Sequence, residues 1–226
     1  MKFKRYRNKA GIILSSVFLY LCAKMSYREI EFNMALQENK IHHTTVFRWI
    51  QTFSKKLVYN FKRRKRLIGD SWYVDETYIE VNKKWVYLYR AVDKSGKTVH
   101  FYLSEIRNLR AARKFLIDAI KLHGKPEKIT VDLSGSNIAA IDSINDKLKN
   151  KDKIEKRTSK YLNNRIEQDH RKIKQKFKQT LGFKNFKTAE ITIYGIEVVH
   201  ALRKEFYKTR DNYAQMVFQE FCRLAA

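Results

Sequence analysis

Between residues 71 and 105 the chain changes period. "SWYVDETYIEV" (71–81), "KWVYLYRAVD" (84–93) and "TVHFYLSE" (98–105) are dense in aromatic and β-branched residues, which pack well on a pleated surface. "NK" separates the first two runs and "DKSG" follows the second, so each junction reads as a tight turn. "LRAARKFLIDAIKLHG" (109–124) carries a helical apolar stripe, ended by Gly124 and Pro126. "EKITVD" (127–132) is a short buried strand opening into the polar loop "SGSN", and helical patterns return at 137–149, 164–178 and 188–208. Three antiparallel strands, a crossover helix and a further parallel strand predict a mixed sheet with helices on its faces, an α/β architecture.

Upstream the period is helical. A first helix is expected over 9–24, and "SYREIEFNMALQENKIHHTTVFRWIQTF" then reads as helix, turn, helix. Ser26 is an N-cap with Glu29 completing a capping box, Ile30 and Met34 face inward, and Thr44 or Thr45 starts the next helix. In that helix Val46, Trp49, Ile50 and Phe53 form one buried stripe. A helix-turn-helix leaves His43, Thr44, Thr45 and Arg48 to reach base edges, although a plain helical hairpin has the same spacing. "FKRRKR" (61–66) contains five unbroken basic residues, a linker whose Arg63, Arg64 and Lys65 suit a phosphate backbone. The expected organisation is a helical domain over 1–60, DNA-binding on the helix-turn-helix reading, a basic linker over 61–70, the α/β domain over 71–210 and a helical tail over 211–226.

Charge supports a polyanionic partner. Lys and Arg number 48 against 23 Asp and Glu, a net charge of +25, and proteins this basic usually neutralise nucleic-acid phosphates. A membrane is not expected, because the apolar run at 12–23 has 12 residues and a spanning helix needs about 20. That run follows a basic start and mimics a signal peptide, but no small-residue cleavage site succeeds it, so it reads as a core helix. Cys22 and Cys222 lie far apart with no CxxC pair, which argues against zinc and a disulfide framework and fits a reducing cytoplasm.

Three carboxylates stand out in this basic chain. Asp75 lies mid-strand, its neighbour Glu76 is expected on the opposite face, and Asp132 ends the fourth strand, where open α/β sheets bind ligands. Glu167 lies in "TSKYLNNRIEQDHRKIKQKFKQT" (158–180), on a helix whose Ile166, Ile173 and Phe177 recur with His170 on one stripe. Arg171, Lys174 and Lys178 follow Glu167 on its own face. A local Glu167–Arg171 ion pair, worth a few tenths of a kcal/mol, would account for the glutamate alone. Convergence of Asp75, Asp132 and Glu167 would instead require a divalent cation among them. Mg²⁺ prefers such hard oxygen donors, and two ions about 3.5–4 Å apart promote phosphodiester chemistry.

These segments resemble the DDE-type transposases of compact bacterial insertion sequences that form cointegrates by replicative transposition. The likeness rests on "SYREIE", "HHTTVFRWI", "DETYIEVNKKWVYLYRAVD", "TSKYLNNRIEQDHRKIK", "LGFKNFKTAEITIYGIEVVHALRK" and "QEFCRLA", and covers nearly the whole chain. The 34 residues between Asp132 and Glu167 match the separation typical of such enzymes. One departure is the apolar pair Val131 and Leu133 around the second aspartate. The resemblance implies a ribonuclease-H-like core after a helix-turn-helix domain, with Asp75, Asp132 and Glu167 as the catalytic metal ligands. It also implies Mg²⁺ or Mn²⁺, two ions per site, and supporting roles for Asn163, Asn164, Asp169 and His170. The implied partners are double-stranded DNA, as element ends and target. A two-ended reaction further calls for a homodimer or larger assembly, working in the cytoplasm at the bacterial nucleoid.

Overall fold

A computed structural model describes residue 3 and residues 6–23, 25–132, 135–158, 164–177, 183–207 and 212–226, without the side chains of residues 164, 165, 168, 172 and 175–177. Asn163, Leu133 and Lys178, and the side chains of Asn164 and Phe177, therefore lie outside the described part. The chain forms two compact units, one spanning 65–174 and the other joining 1–64 to 175–226.

The first unit is built on the sheet. Its strands are β1 (Ser71–Val81), β2 (Lys84–Asp93), β3 (Thr98–Ser104), β4 (Lys128–Val131) and β5 (Glu155–Thr158), in the order β3-β2-β1-β4-β5. Pairing is antiparallel among β1, β2 and β3 and parallel from β1 to β4 to β5, so only β2 runs against the rest. This is the ribonuclease-H-like arrangement. Asn82 and Lys83 turn the first hairpin at φ 50° and 60°, the left-handed pair whose twist matches the flanking strands. At the second turn the Asp93 carboxylate accepts from the backbone N–H groups of Ser95 and Lys97, and Gly96 takes φ 83°.

Helix α4 (Leu109–His123) is capped by the Asn108 side chain and ended by Gly124 at φ 85°. It buries Ala112, Phe115, Leu116 and Ala119 against Trp72, Val74, Tyr89, Ala91 and Val99 of the sheet, and Ala140 and Ile141 of α5 (Gly135–Asn145) join this core. Cross-strand partners Asp75 and Arg90 alternate with those core residues and therefore face the other side. That side receives α6 (Asn164–Phe177), with Ile166 and Ile173 buried as the stripe predicts. Strand β5 has no counterpart in the sequence reading. Its residues, Glu-Lys-Arg-Thr, are all exposed, as befits an edge that discourages further pairing, so no apolar alternation betrays it.

The second unit is helical: α1 (Ala10–Cys22), α2 (Tyr27–Leu36), α3 (His43–Arg63), α7 (Phe186–Phe206) and α8 (Tyr213–Ala225). The Ser26–Glu29 capping box forms as expected, and Ile30 and Met34 are buried. α3 begins slightly earlier than the threonines suggest, because the His42 side chain caps it by accepting from the Thr44 N–H. Its stripe of Val46, Trp49, Ile50 and Phe53 continues through Leu57 and Phe61. Gln51 Nε2 donates to Thr192 Oγ1 of α7 at 2.8 Å, and Asn60 Nδ2 to the Leu224 carbonyl of α8 at 2.7 Å. Gly195 allows the close approach of α7, since a Cβ there would lie 2.6 Å from Ser54 Oγ and 3.1 Å from Leu21 Cδ2.

The packing thus divides the chain differently from the expected boundaries. α3 absorbs residues 61–63 of the basic linker, and α7 and α8 join the front helices instead of the sheet or a separate tail. The physical reason is that α7 buries Ala189, Ile193, Ile196, Val198, Val199 and Leu202, too broad an apolar surface for one neighbour. Among the described residues, no helix is long and apolar enough to cross a membrane.

Candidate metal centre and DNA-facing surfaces

Parallel pairing of Val74 with Val131 brings the next residues, Asp75 and Asp132, side by side where β4 ends. Oxygens of Asp75, Glu76 and Asp132 all lie within 4.8 Å of one another. Glu76 starts on the opposite face from Asp75, as strand alternation requires, and meets Arg107 and Asn137 there. β1 runs on past the end of β4, and beyond that end an oxygen of Glu76 still comes within the same 4.8 Å of Asp75 and Asp132. The Glu76 side chain is 1% exposed and ion-paired with Arg107, and its Oε2 accepts from Asn137 Nδ2 at 2.6 Å. Burial raises the Glu76 pKa above its ordinary value, opposed by Arg107 and Asn137 and reinforced by the charges of Asp132 and Asp75. Clustered hard oxygens of this kind fit a divalent cation such as Mg²⁺.

α6 docks beside Asp75 through polar contacts. His170 Nε2 lies 3.3 Å from Asp75 Oδ2, and Arg90 Nη2 donates to Asp169 Oδ2 at 2.7 Å. Arg90 is 1% exposed and His170 is also buried. Glu167, one turn before His170, is exposed and stands outside the cluster of Asp75, Glu76 and Asp132. Sequence reasoning missed Arg90, Arg107 and Asn137, each distant in the chain from the carboxylate it serves. The arginines were two of 48 basic residues, with nothing local to set them apart.

A carboxylate cluster on a ribonuclease-H-like sheet narrows the chemistry without naming a family. The family model for the DDE domain of IS240-type transposases matches residues 69–206. The transposase for the insertion sequence-like element IS431mec of Staphylococcus aureus is 36% identical over 206 residues, covering 91% of this chain and 90% of that protein. The chain belongs to the DDE transposases of insertion sequences. The S. aureus transposase for element IS257 in transposon Tn4003 matches equally, at 36% over the same share of both chains. The HTLV-2 integrase catalytic core domain in complex with magnesium is also similar, at 16% identity and a TM-score of 0.40, over 70% of this chain and 87% of that one. The transposase is a polynucleotidyl transferase of the DDE type and uses divalent metal, for which Asp75, Glu76 and Asp132 offer a donor set.

The DNA-facing candidates of the transposase divide by exposure. Thr44 and Arg48 are exposed on the first turns of α3 and Thr45 is half-buried. His43 is engaged elsewhere: its N–H and Nδ1 lie 2.9 and 2.7 Å from Glu31 Oε2, tying α3 to α2. This contact holds the Glu31 carboxyl below its usual pKa. His42 joins Glu31 and His43 in a second group of close ligand atoms, with its own Nδ1 2.8 Å from Thr44 Oγ1. Arg63 and Lys65 are exposed, Arg63 with its guanidinium over the Tyr59 ring. Arg64 departs from its expected phosphate role, because it turns into ion pairs with Glu205 of α7 and Glu220 of α8. Arg171 and Lys174 are exposed on α6.

Proposed function

We propose that this chain recognises the terminal inverted repeats of its own mobile element and cuts and joins DNA strands at a site of Asp75, Asp132 and Glu167. The observation that carries the reading is the side-by-side placement of Asp75 and Asp132 on neighbouring parallel strands, in a member of the DDE family. Glu167 enters as the third ligand from its motif. It is supported by the docking of α6, where Asp169 and His170, two and three residues on, meet Arg90 and Asp75. Asp75, Asp132 and Glu167 would hold Mg²⁺ or Mn²⁺, two ions per site. Such ions activate the attacking oxygen and stabilise the leaving oxygen of a phosphodiester. Glu76 keeps the two aspartates in place through Arg107 and Asn137, and His170 orients Asp75, with Asn163 and Asn164 in supporting roles. Thr44, Thr45 and Arg48 read the element end, while Arg63, Lys65, Arg171, Lys174 and Lys178 neutralise its phosphates. Two ends require two sites, so the working form is a homodimer or larger, acting on the nucleoid in the cytoplasm.

The test uses purified protein, Mg²⁺ and linear DNA bearing the ends that flank its gene. Asp75→Asn and Glu167→Gln should each abolish cleavage and joining while leaving end binding intact or slightly tighter. Arg48→Ala should weaken end binding more than random-DNA binding, since a base contact discriminates by about 1–3 kcal/mol. Near-normal joining by Glu167→Gln would remove that residue from the site. Binding without any strand chemistry in the unaltered protein would mark it as a DNA-binding scaffold.

A further inference from the structure

An open cleft of about 830 Å³ lies along the outer face of α4 where the end of α5 meets it. Arg110, Arg113, Lys114, Lys121 and Lys147 line it against a single acid, Asp118. Two of these cations are already engaged. Lys114 pairs with Asp118 at 2.7 Å and lies over the Tyr102 ring, and Arg113 Nε donates to Ser143 Oγ at 3.1 Å, joining α4 to α5. Arg110, Lys121 and Lys147 are exposed, and among the described residues none has a carboxylate within ion-pair distance. Arg110 and Lys121 are eleven residues apart on one helix, about 16 Å at 1.5 Å per residue. That span exceeds the roughly 12 Å width of the major groove, so one helix face can reach both flanking phosphate ridges.

One end of the cleft adjoins the residue that pairs with Glu76. It begins at Asn108, and the preceding Arg107 holds Glu76 next to Asp75 and Asp132. α4 and α5 pack on the sheet face of Trp72 and Val74, whereas α6, with exposed Arg171 and Lys174, docks on the face of Asp75 and Arg90. Two basic surfaces therefore approach one carboxylate cluster from opposite sides of the sheet. Strand transfer brings two duplexes to one site, and two separate surfaces meet that requirement.

We propose that the α4–α5 cleft binds the phosphate backbone of the target duplex, leaving α3 and α6 to the element end. This rests on the transposase reading above. Flexible lysine and arginine side chains fix the position of a duplex without reading its bases, which suits a partner of arbitrary sequence.

The test is a binding measurement that needs no chemistry. Full-length protein is first saturated with unlabelled duplex carrying the ends that flank its gene, then titrated with a fluorescent random-sequence duplex at several salt concentrations. The combined variant Arg110→Gln, Lys121→Gln, Lys147→Gln should lower affinity for the random duplex about tenfold or more. It should also flatten the slope of log affinity against log salt by roughly 2–3, as expected when three phosphate contacts are lost. Affinity for the end duplex and the melting temperature should stay close to those of the unaltered protein. Unchanged random-duplex affinity and slope would overturn the proposal. A parallel fall in end affinity would also overturn it, because the cleft would then serve the end. A separate Mg²⁺ joining assay on unaltered protein tests the transposase reading by itself, so the two failures are distinguishable.

Discussion

His123 is a half-buried imidazole kept neutral in a strongly basic chain. Its Nε2 lies 3.0 Å from Arg66 Nη2, whose guanidinium also donates to the carbonyls of Thr98 and Val99. Burial first, and the Arg66 charge second, lower its pKa to about 4, against about 6.5 for an unperturbed histidine. Between those values the unfolded chain holds the extra proton, so stability rises with pH there and falls on acidification from about pH 6.5 towards 4. Thermal melts at pH 7 and pH 5 should show a larger drop for the unaltered protein than for His123→Gln, whose amide oxygen can still accept from Arg66. Equal drops would mean that His123 contributes nothing to the acid sensitivity. Legibility at this scale follows chain geometry. Asp75 and Asp132 could be read because one lies inside a run rich in aromatic and β-branched residues and the other directly follows the buried run Ile129–Val131, where a carboxylate is conspicuous. Glu76 could not, because its place depends on where β4 stops relative to β1, a matter of register between distant segments.

The orientation of α6 hangs on buried polar contacts, since its outer face is basic and only Ile166 and Ile173 are buried apolar side chains among those described. Arg90 and Asp169 are 1% and 11% exposed, and removing one member of such a buried pair typically costs about 3–5 kcal/mol. Asp169→Asn should therefore lower stability by about 3 kcal/mol, read from denaturant unfolding, and reduce Mg²⁺-dependent joining more than end binding. Full joining activity with unchanged stability would show that α6 is positioned some other way. The same reliance on distant partners limited the reading of elements. β1, β2, β3 and α4 announce themselves through local periodicity and turn residues. β5 is a charged edge recruited by pairing with β4, with Lys128 opposite Glu155, and its own residues carry no strand signal.

At the scale of the molecule, the front helices do not stand alone. The sequence suggests that residues 1–60 are an independent DNA-reading domain, yet α3 is shared with helices from the far end of the chain. Gln51 bonds α7, Asn60 and Lys56 bond the end of α8, and Arg64 pairs with Glu205 and Glu220. Leu57 and Phe61, on the same stretch of α3, are 0% and 1% exposed. Uncovering a side chain of this kind forfeits about 1.5–3 kcal/mol, and a whole domain is stable by only about 5–15 kcal/mol. A fragment ending at residue 64 should accordingly lack a cooperative melting transition and bind end and random DNA alike, through its loose positive charge. Supplying residues 175–226 in trans, by co-expression, should restore a sharp transition, and with it preference for the element end through Thr44 and Arg48. The measurements are circular dichroism melts and paired titrations with end and random duplexes. A fragment 1–64 that melts cooperatively and prefers the end without its partner segment would show that α7 and α8 brace the reading head without being needed to fold it.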